Sequence, residues 1–261
     1  MLFRSETVRG LPDGPVNAVR EDPVRQGLLF AATELAVFVS FNDGDDWQPL
    51  RLNMPATSVR DLVIHGNDLV VGTHGRGFWI LDDIAPLRQL TAEAAAAPAH
   101  LFAPSPAWRY PRNTNTDTPL PPEEPAGQNP PDGAILYYNL KSAAAGPVVI
   151  DILDSTGQVL SRFDSTDQPP PPDPLLNVPT YWIRPFARPG TAAGMHRFVW
   201  DLHSAPTGGA RRRGGEYPIS AIYQDTPGAQ GEWMPPGAYV VKLTVDGRTY
   251  TQPLMVKPDP R

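Results

Sequence analysis

Gly27-Leu28-Leu29-Phe30-Ala31-Ala32-Thr33, followed by Val37-Phe38-Val39-Ser40, matches Asn67-Asp68-Leu69-Val70-Val71-Gly72-Thr73, followed by Gly77-Phe78-Trp79-Ile80-Leu81. Both halves of the match are pairs of short runs rich in β-branched and aromatic residues, the composition of strands rather than helices. Outward from this pair the pattern continues. Val16 to Glu21, Leu28 to Thr33, Val37 to Phe41, Val59 to Ile64, Leu69 to Thr73 and Phe78 to Leu81 each read as a strand. Between them stand Asp22-Pro23, Asn42-Asp43-Gly44 and Gly66-Asn67-Asp68, where glycine and asparagine tolerate positive φ and proline fixes it, so the chain turns.

Thr33 and Thr73 are 40 residues apart, and Val16 and Val59 are 43 apart. A repeat of that length built from short strands fits the blade of a β-propeller, with an ordinary meander of chance similarity as the alternative. Two copies cannot close a ring. The expectation for residues 1–86 is therefore two terminal blades of an incomplete propeller, to be completed by other blades.

Composition changes after that. The chain of 261 residues holds 33 prolines and 22 glycines, together roughly a fifth of it against about 12% for the two in average proteins, so turns and irregular connections are expected. Prolines cluster from Pro98 to Pro131, and residues 87–132 read as a Pro-rich linker, with Ala92 to Ala97 as a short helical turn. Leu101, Phe102, Trp108 and Tyr110 are placed to lay part of it along a domain surface. Alternation returns in Ala134 to Leu140, Val148 to Leu153, Gln158 to Phe163, Met195 to Leu202, Gly237 to Val245 and Arg248 to Val256. Asp246-Gly247 between the last two is a strong two-residue hairpin signal. Residues 133–261 are thus expected to form an Ig-like β-sandwich. The fold class is all-β throughout.

Ser40-Phe41-Asn42-Asp43-Gly44-Asp45-Asp46-Trp47 reads as S-x-[D/N]-x-G-x-x-W. In a hairpin after a strand, Asn42 can bond the backbone across the turn, Gly44 can take positive φ, and Trp47 can fold back as an apolar plug. This octapeptide resembles the Asp-box, or BNR repeat, of sialidases, xyloglucan-active hydrolases and the sortilin/Vps10 propeller, with Asn42 where the usual aspartate stands. Together with Glu21-Asp22-Pro23, Val59-Arg60-Asp61-Leu62 and Gly72-Thr73-His74-Gly75-Arg76-Gly77-Phe78-Trp79-Ile80-Leu81-Asp82-Asp83, it is similar to the last blades of bacterial sortilin-like BNR-repeat proteins, many of them labelled glycosyl hydrolases. Gly194-Met195-His196-Arg197-Phe198-Val199-Trp200-Asp201-Leu202 and Pro236-Gly237-Ala238-Tyr239-Val240-Val241 resemble the Ig-like domain of flagellar hook-capping proteins. The resemblance implies a C-terminal piece of a longer parent chain whose upstream blades are partners of this one. It also implies a secreted, extracellular or periplasmic home. Met1 to Ser5 lacks the apolar stretch of a signal peptide, and Thr7 to Pro15 reads as mid-blade text.

The sialidase and xyloglucanase relatives place their catalytic side chains mostly on blades this chain lacks, which implies a non-catalytic fragment acting in protein or glycan binding. The alternative is the C-terminal part of a glycoside hydrolase whose catalytic blades lie elsewhere. Adjacent Asp82 and Asp83 point to opposite faces of an extended strand, which suits turn or cap residues better than a pair flanking one glycosidic bond. In Thr73-His74-Gly75-Arg76-Gly77, His74 and Arg76 offer a titratable donor beside a fixed cation, either for a ligand or as part of a glycine-rich hairpin. Trp200 and Tyr239 are assigned to the core, whereas Trp182, Tyr181 and Trp233 in loops are candidates to stack on sugar rings. Arg211-Arg212-Arg213 between glycine pairs reads as a solvated basic loop.

Absent residue types exclude other classes. With no cysteine there is no disulfide framework, thiolate metal site or catalytic thiol. The five histidines lack metal-binding spacing, so neither metal nor cofactor is expected. A formal charge of −6 argues against nucleic acid, which asks for a basic surface, and no apolar run reaches the ~18 residues of a membrane span.

Overall fold

The computed structural model describes residues 9–111, 130–169, 179–205 and 231–260. It is all-β, with several antiparallel sheets, and it divides into two compact units, Met1–Gln89 and Leu90–Arg261. None of its helices is long and apolar enough to cross a membrane among the described residues.

In the first unit β1 (Val16–Glu21), β2 (Leu29–Thr33), β3 (Val37–Ser40) and β4 (Gln48–Pro49) form a four-stranded antiparallel sheet in chain order. A second, three-stranded sheet follows from β5 (Val59–His65), β6 (Asp68–Thr73) and β7 (Phe78–Leu81), and α1 (Ala85–Gln89) closes the unit. The duplication seen in sequence recurs in register. Val16 pairs with Thr33 and Val59 with Thr73, and each pairing is followed by a register shift, at Val16/Ala18 and at Val59/Asp61. A bulge inserts one residue and bends its strand, so Asn17 and Arg60 occupy corresponding irregular positions.

The copies then diverge by one residue. The Thr33 amide donates to the carbonyl of Ala36, whereas the Thr73 amide donates to that of Gly77, one position further on. The longer turn moves the following strand. Ala31 pairs with Phe38 while Val71 pairs with Trp79, so Trp79, not Phe78, stands in the place of Phe38. Since side chains alternate between faces, this settles which residues pack. Phe30, Ala32, Val37 and Val39 of the first sheet meet Leu62, Leu69 and Val71 of the second in one buried cluster, with Trp79 and Leu81 packed against it.

The second unit begins with α2 (Ala92–Ala96), whose first turn is capped by the Thr91 hydroxyl accepting the Ala94 amide. Its strands are β8 (Ala99–Leu101), β9 (Ala107–Arg109), β10 (Ala134–Leu140), β11 (Val149–Leu153), β12 (Val159–Asp164), β13 (Gly194–Trp200), β14 (Gly237–Val245) and β15 (Arg248–Pro258). They form two sheets, ordered β13-β10-β8 and β12-β11-β14-β15-β9, antiparallel except for β9 against β15. Leu136, Tyr138, Phe198 and Trp200 from the first and Ile150, Ile152, Val241 and Leu243 from the second share a single core. Buried Asp151 is answered by Lys242 at 2.9 Å and Arg162 at 3.1 Å.

The segment read as a linker differs from that reading in its described part. Residues 99–101 and 107–109 are strands of this unit, and Leu101 and Phe102 are buried. Both strands are short and lie at sheet edges, where neighbouring Pro98, Pro104 and Pro106 can be accommodated because an edge does not need every N–H.

Candidate functional site

Each group of candidate residues sits where the local hydrogen bonding requires it. In the box, the Ser40 hydroxyl donates to Asn42 Oδ1 (3.0 Å) and accepts the amides of Gly44 (2.9 Å) and Asn42 (3.4 Å). Asn42 Oδ1 also accepts the Asp46 amide at 3.0 Å, and its Nδ2 donates to Asp46 Oδ2 at 2.9 Å. Gly44 has φ +89°, a conformation that glycine adopts without cost. Trp47 is buried with Ala31, Ala36 and Phe38, and Leu11 and Leu29 pack against the group. Arg9 completes the turn, its Nε 2.6 Å from Asp46 Oδ1, while its carbonyl accepts the Trp47 amide. Asn42 therefore does more than an aspartate could, since its amide nitrogen supplies a donor to Asp46.

A second set of polar groups gathers at the β6–β7 turn. His74 and Arg76 are both exposed there, and the Trp79 indole donates to the Arg76 carbonyl. The His74 amide donates to the Ser58 carbonyl just before β5. Beside it lies Glu34 of the β2–β3 turn, whose Oε1 accepts from Asn17 Nδ2 and Arg60 Nη1, each at 3.0 Å. The polar side chains of Ser58 and Asn17 beside it hold the Glu34 carboxyl below its ordinary value; partial burial opposes them, and the charges of Arg60 and His74 add to them. The sequence pattern marks His74 and Arg76 but not Glu34, Asn17 or Arg60, which reach this place from another turn and from the two bulges. The result is a partly exposed carboxylate held ionised beside a guanidinium and an imidazole. Such a surface can exchange hydrogen bonds with hydroxyls, amides or charged groups of a ligand.

At Asp82-Asp83 the backbone turns. Asp83 has φ +60°; its amide donates to Asp68 Oδ1 at 3.0 Å, and its own carboxylate accepts the Ala85 amide at the start of α1. Further on, Arg88 of α1 donates from Nε to Asp22 Oδ2 (2.9 Å), from Nη1 to Asn67 Oδ1 (2.5 Å) and from Nη2 to the Gly66 carbonyl (2.8 Å). Asp22 is buried and also accepts the amides of Val24 and Arg25. Burial alone would raise its carboxyl, but the Arg88 and backbone hydrogen bonds outweigh that and hold it below the ordinary value.

In the second unit, Trp233 is partly buried against the core. The Arg109 guanidinium lies 3.8 Å from its ring centroid, and the His203 ring stacks on it at 6.1 Å with a 10° tilt. Trp200 and Tyr239 are core residues in edge-to-face contact at 5.4 Å. Tyr181 is exposed on a single 3-10 turn, Thr180–Trp182. The Trp182 side chain and Arg211 to Arg213 lie outside the described residues. Among the described residues no group of three or more His, Asp or Glu side chains could hold a metal ion.

Compared with known proteins, the chain matches no family model, no curated protein and no solved structure.

Proposed function

We propose that the chain is a non-catalytic binding module from an extracellular protein, made of two propeller blades and an Ig-like β-sandwich. Its ligand is a protein or a glycan, and it is met at the β6–β7 turn. The observation that carries this reading is the convergence of exposed His74 with Glu34 and Arg60 from separate turns and strands. Two features support the blade reading: the repeated bulge and Thr pairing of the two sheets, and the box hairpin, whose polar groups are consumed by its own turn. Two sheets around one core support the sandwich reading. The upstream blades of a parent chain belong to the same proposal.

The test is a glycan array and a panel of extracellular-matrix and cell-surface proteins, probed with the whole chain and with Glu34→Gln and His74→Ala. Binding that falls at least tenfold in both variants, with an unchanged circular dichroism spectrum, supports the reading; tenfold corresponds to about 1.4 kcal/mol. Binding undiminished in both places the ligand elsewhere. Turnover of aryl glycosides by the purified chain overturns the non-catalytic reading outright.

A further inference from the structure

Four Asp-Gly pairs occur in the sequence: Asp13-Gly14, Asp43-Gly44, Asp132-Gly133 and Asp246-Gly247. In such a pair the glycine nitrogen can attack the aspartate Cγ and close a five-membered imide, because glycine has no Cβ to hinder the approach. Closure needs a glycine N–H that is not donating elsewhere, a carboxyl able to turn, and room for the two to meet. The fold grants these unequally.

At Asp43-Gly44 the glycine is buried and its amide donates to the Ser40 hydroxyl at 2.9 Å, while the Asp43 amide is held by the Gly27 carbonyl. At Asp132-Gly133 the carboxylate pairs with Arg184 at 3.1 Å, and the Gly133 backbone lies so close to the Trp200 carbonyl that a Cβ could not be accommodated there. At Asp246-Gly247 the carboxylate accepts the amides of Ala145 and Gly146, at 2.9 and 3.1 Å. Nothing of the kind restrains the first pair. Asp13 and Gly14 are exposed, and neither makes a hydrogen bond or ion pair among the described residues. Gly14 has φ +140°, with nothing within 4 Å of where a Cβ would stand. The flanks are anchored, by Leu11 packed against the Trp47 cluster and by Val16 paired with Thr33, so the freedom is confined to the residues between them.

We propose that Asp13-Gly14 is a site of spontaneous backbone modification, where aspartate passes through a cyclic imide to isoaspartate in the folded protein while the other three pairs are protected. The Gly14 nitrogen bonds to Asp13 Cγ and gives up its proton; one carboxylate oxygen leaves as water with that proton and one from solvent. Water then opens the ring at either carbonyl. Breaking the bond from nitrogen to Cγ restores aspartate, whereas breaking the bond from nitrogen to the Asp13 main-chain carbon sends the backbone through Cγ, one methylene longer. Either opening regenerates a carboxylate and returns the proton, so no co-reactant but water is needed. The added methylene falls between Leu11 and Val16, where the chain joins the box hairpin to β1. The inference does not rest on the ligand site at Glu34 and His74.

Incubating the whole chain for weeks at neutral pH in water enriched in heavy oxygen records each passage, because every ring opening leaves one heavy oxygen in the product. Trypsin separates the four pairs into different peptides, with Asp13 in residues 10–20, and fragment masses tell isoaspartate from aspartate. The expected result is labelling and isoaspartate at Asp13 at least about tenfold above each of the other three pairs, a barrier difference of about 1.4 kcal/mol. In guanidinium chloride, where the native restraints are gone, the four pairs should converge to within about threefold. Asp13→Glu, whose carboxyl would have to close a six-membered ring, should lose the labelling and keep the circular dichroism spectrum. An unlabelled Asp13, or equal labelling of all four pairs in the folded chain, overturns the proposal. So does a preference for Asp13 that persists undiminished in denaturant, because neighbouring residues and not the fold would then set it.

Discussion

Replacing Arg88 by methionine keeps the aliphatic stem of the side chain and removes its charge. In the native unit the Asp22 side chain is 0% exposed and that of Arg88 10%, so the substitution strands a carboxylate away from water. Breaking one side of such a pair typically costs about 3–5 kcal/mol. The Val24 and Arg25 amides, at 2.9 and 2.7 Å from Asp22 Oδ1, continue to satisfy one oxygen, which places the expected loss near the lower end, about 3 kcal/mol. Arg88 also ties the Asn67 side chain and the Gly66 carbonyl to α1, so the loosening should spread to both hairpin ends. Amide hydrogen exchange read on peptides covering residues 16–33 and 59–73, with urea unfolding alongside, measures this local loss. A double-mutant cycle with Asp22→Asn should show coupling of about 2 kcal/mol, because asparagine still accepts the two amides but no longer needs the cation. The acid limb gives a further readout. The Asp22 carboxyl titrates below its unfolded value. The unfolded chain therefore binds more protons as pH falls, and the stability this group contributes is present above about pH 4 and lost below it. In Arg88→Met that acid-side loss should shrink. Additive single effects, or a loss under about 0.5 kcal/mol, would refute the view that this buried pair locks the unit.

Two further substitutions test particular hydrogen bonds. Asn42→Asp, which restores the residue usual in the resembled motif, replaces the Nδ2 donor to Asp46 with a second acid; thermal unfolding should show a loss of about 1 kcal/mol, shrinking as salt screens the repulsion. Tyr138→Phe removes the bond from the phenol to the Gly190 carbonyl at 2.8 Å and should cost about 1 kcal/mol. In the native chain, burial pushes the Tyr138 hydroxyl up to about 12 and also raises that of Tyr239, so a spectrophotometric titration should show one fewer late-ionising tyrosine in the variant.

Much of the strand pattern was legible because its signals are local. Val16–Glu21, Phe78–Leu81, Ala134–Leu140 and Gly237–Val245 begin and end where the sequence pattern placed them, since alternation and flanking turn residues act within a few positions. The box was legible for the same reason, with Ser40, Asn42, Gly44 and Trp47 all within eight residues. Gln48–Pro49, Ala99–Leu101 and Ala107–Arg109 were not. Two or three residues cannot display a period, and these strands exist because a neighbouring sheet edge offers partners. Glu34 escaped notice because its contacts with Arg60 and His74 are made by folding, and nothing in its immediate neighbourhood marks it. The same holds for Arg88, whose partner Asp22 is 66 residues away.

The two bulge residues, Asn17 and Arg60, donate to the same oxygen of Glu34. That shared acceptor makes the duplicated hairpins complementary instead of equivalent. A chimera carrying two copies of the earlier segment would bring two neutral amides to the carboxylate and leave its charge unanswered, and one carrying two copies of the later segment would put the counterpart of His74 where Glu34 stands and leave two guanidinium groups with no carboxylate to receive them. The halves look alike in outline, but each is fitted to its own place, and neither can substitute for the other without remaking the junction between them.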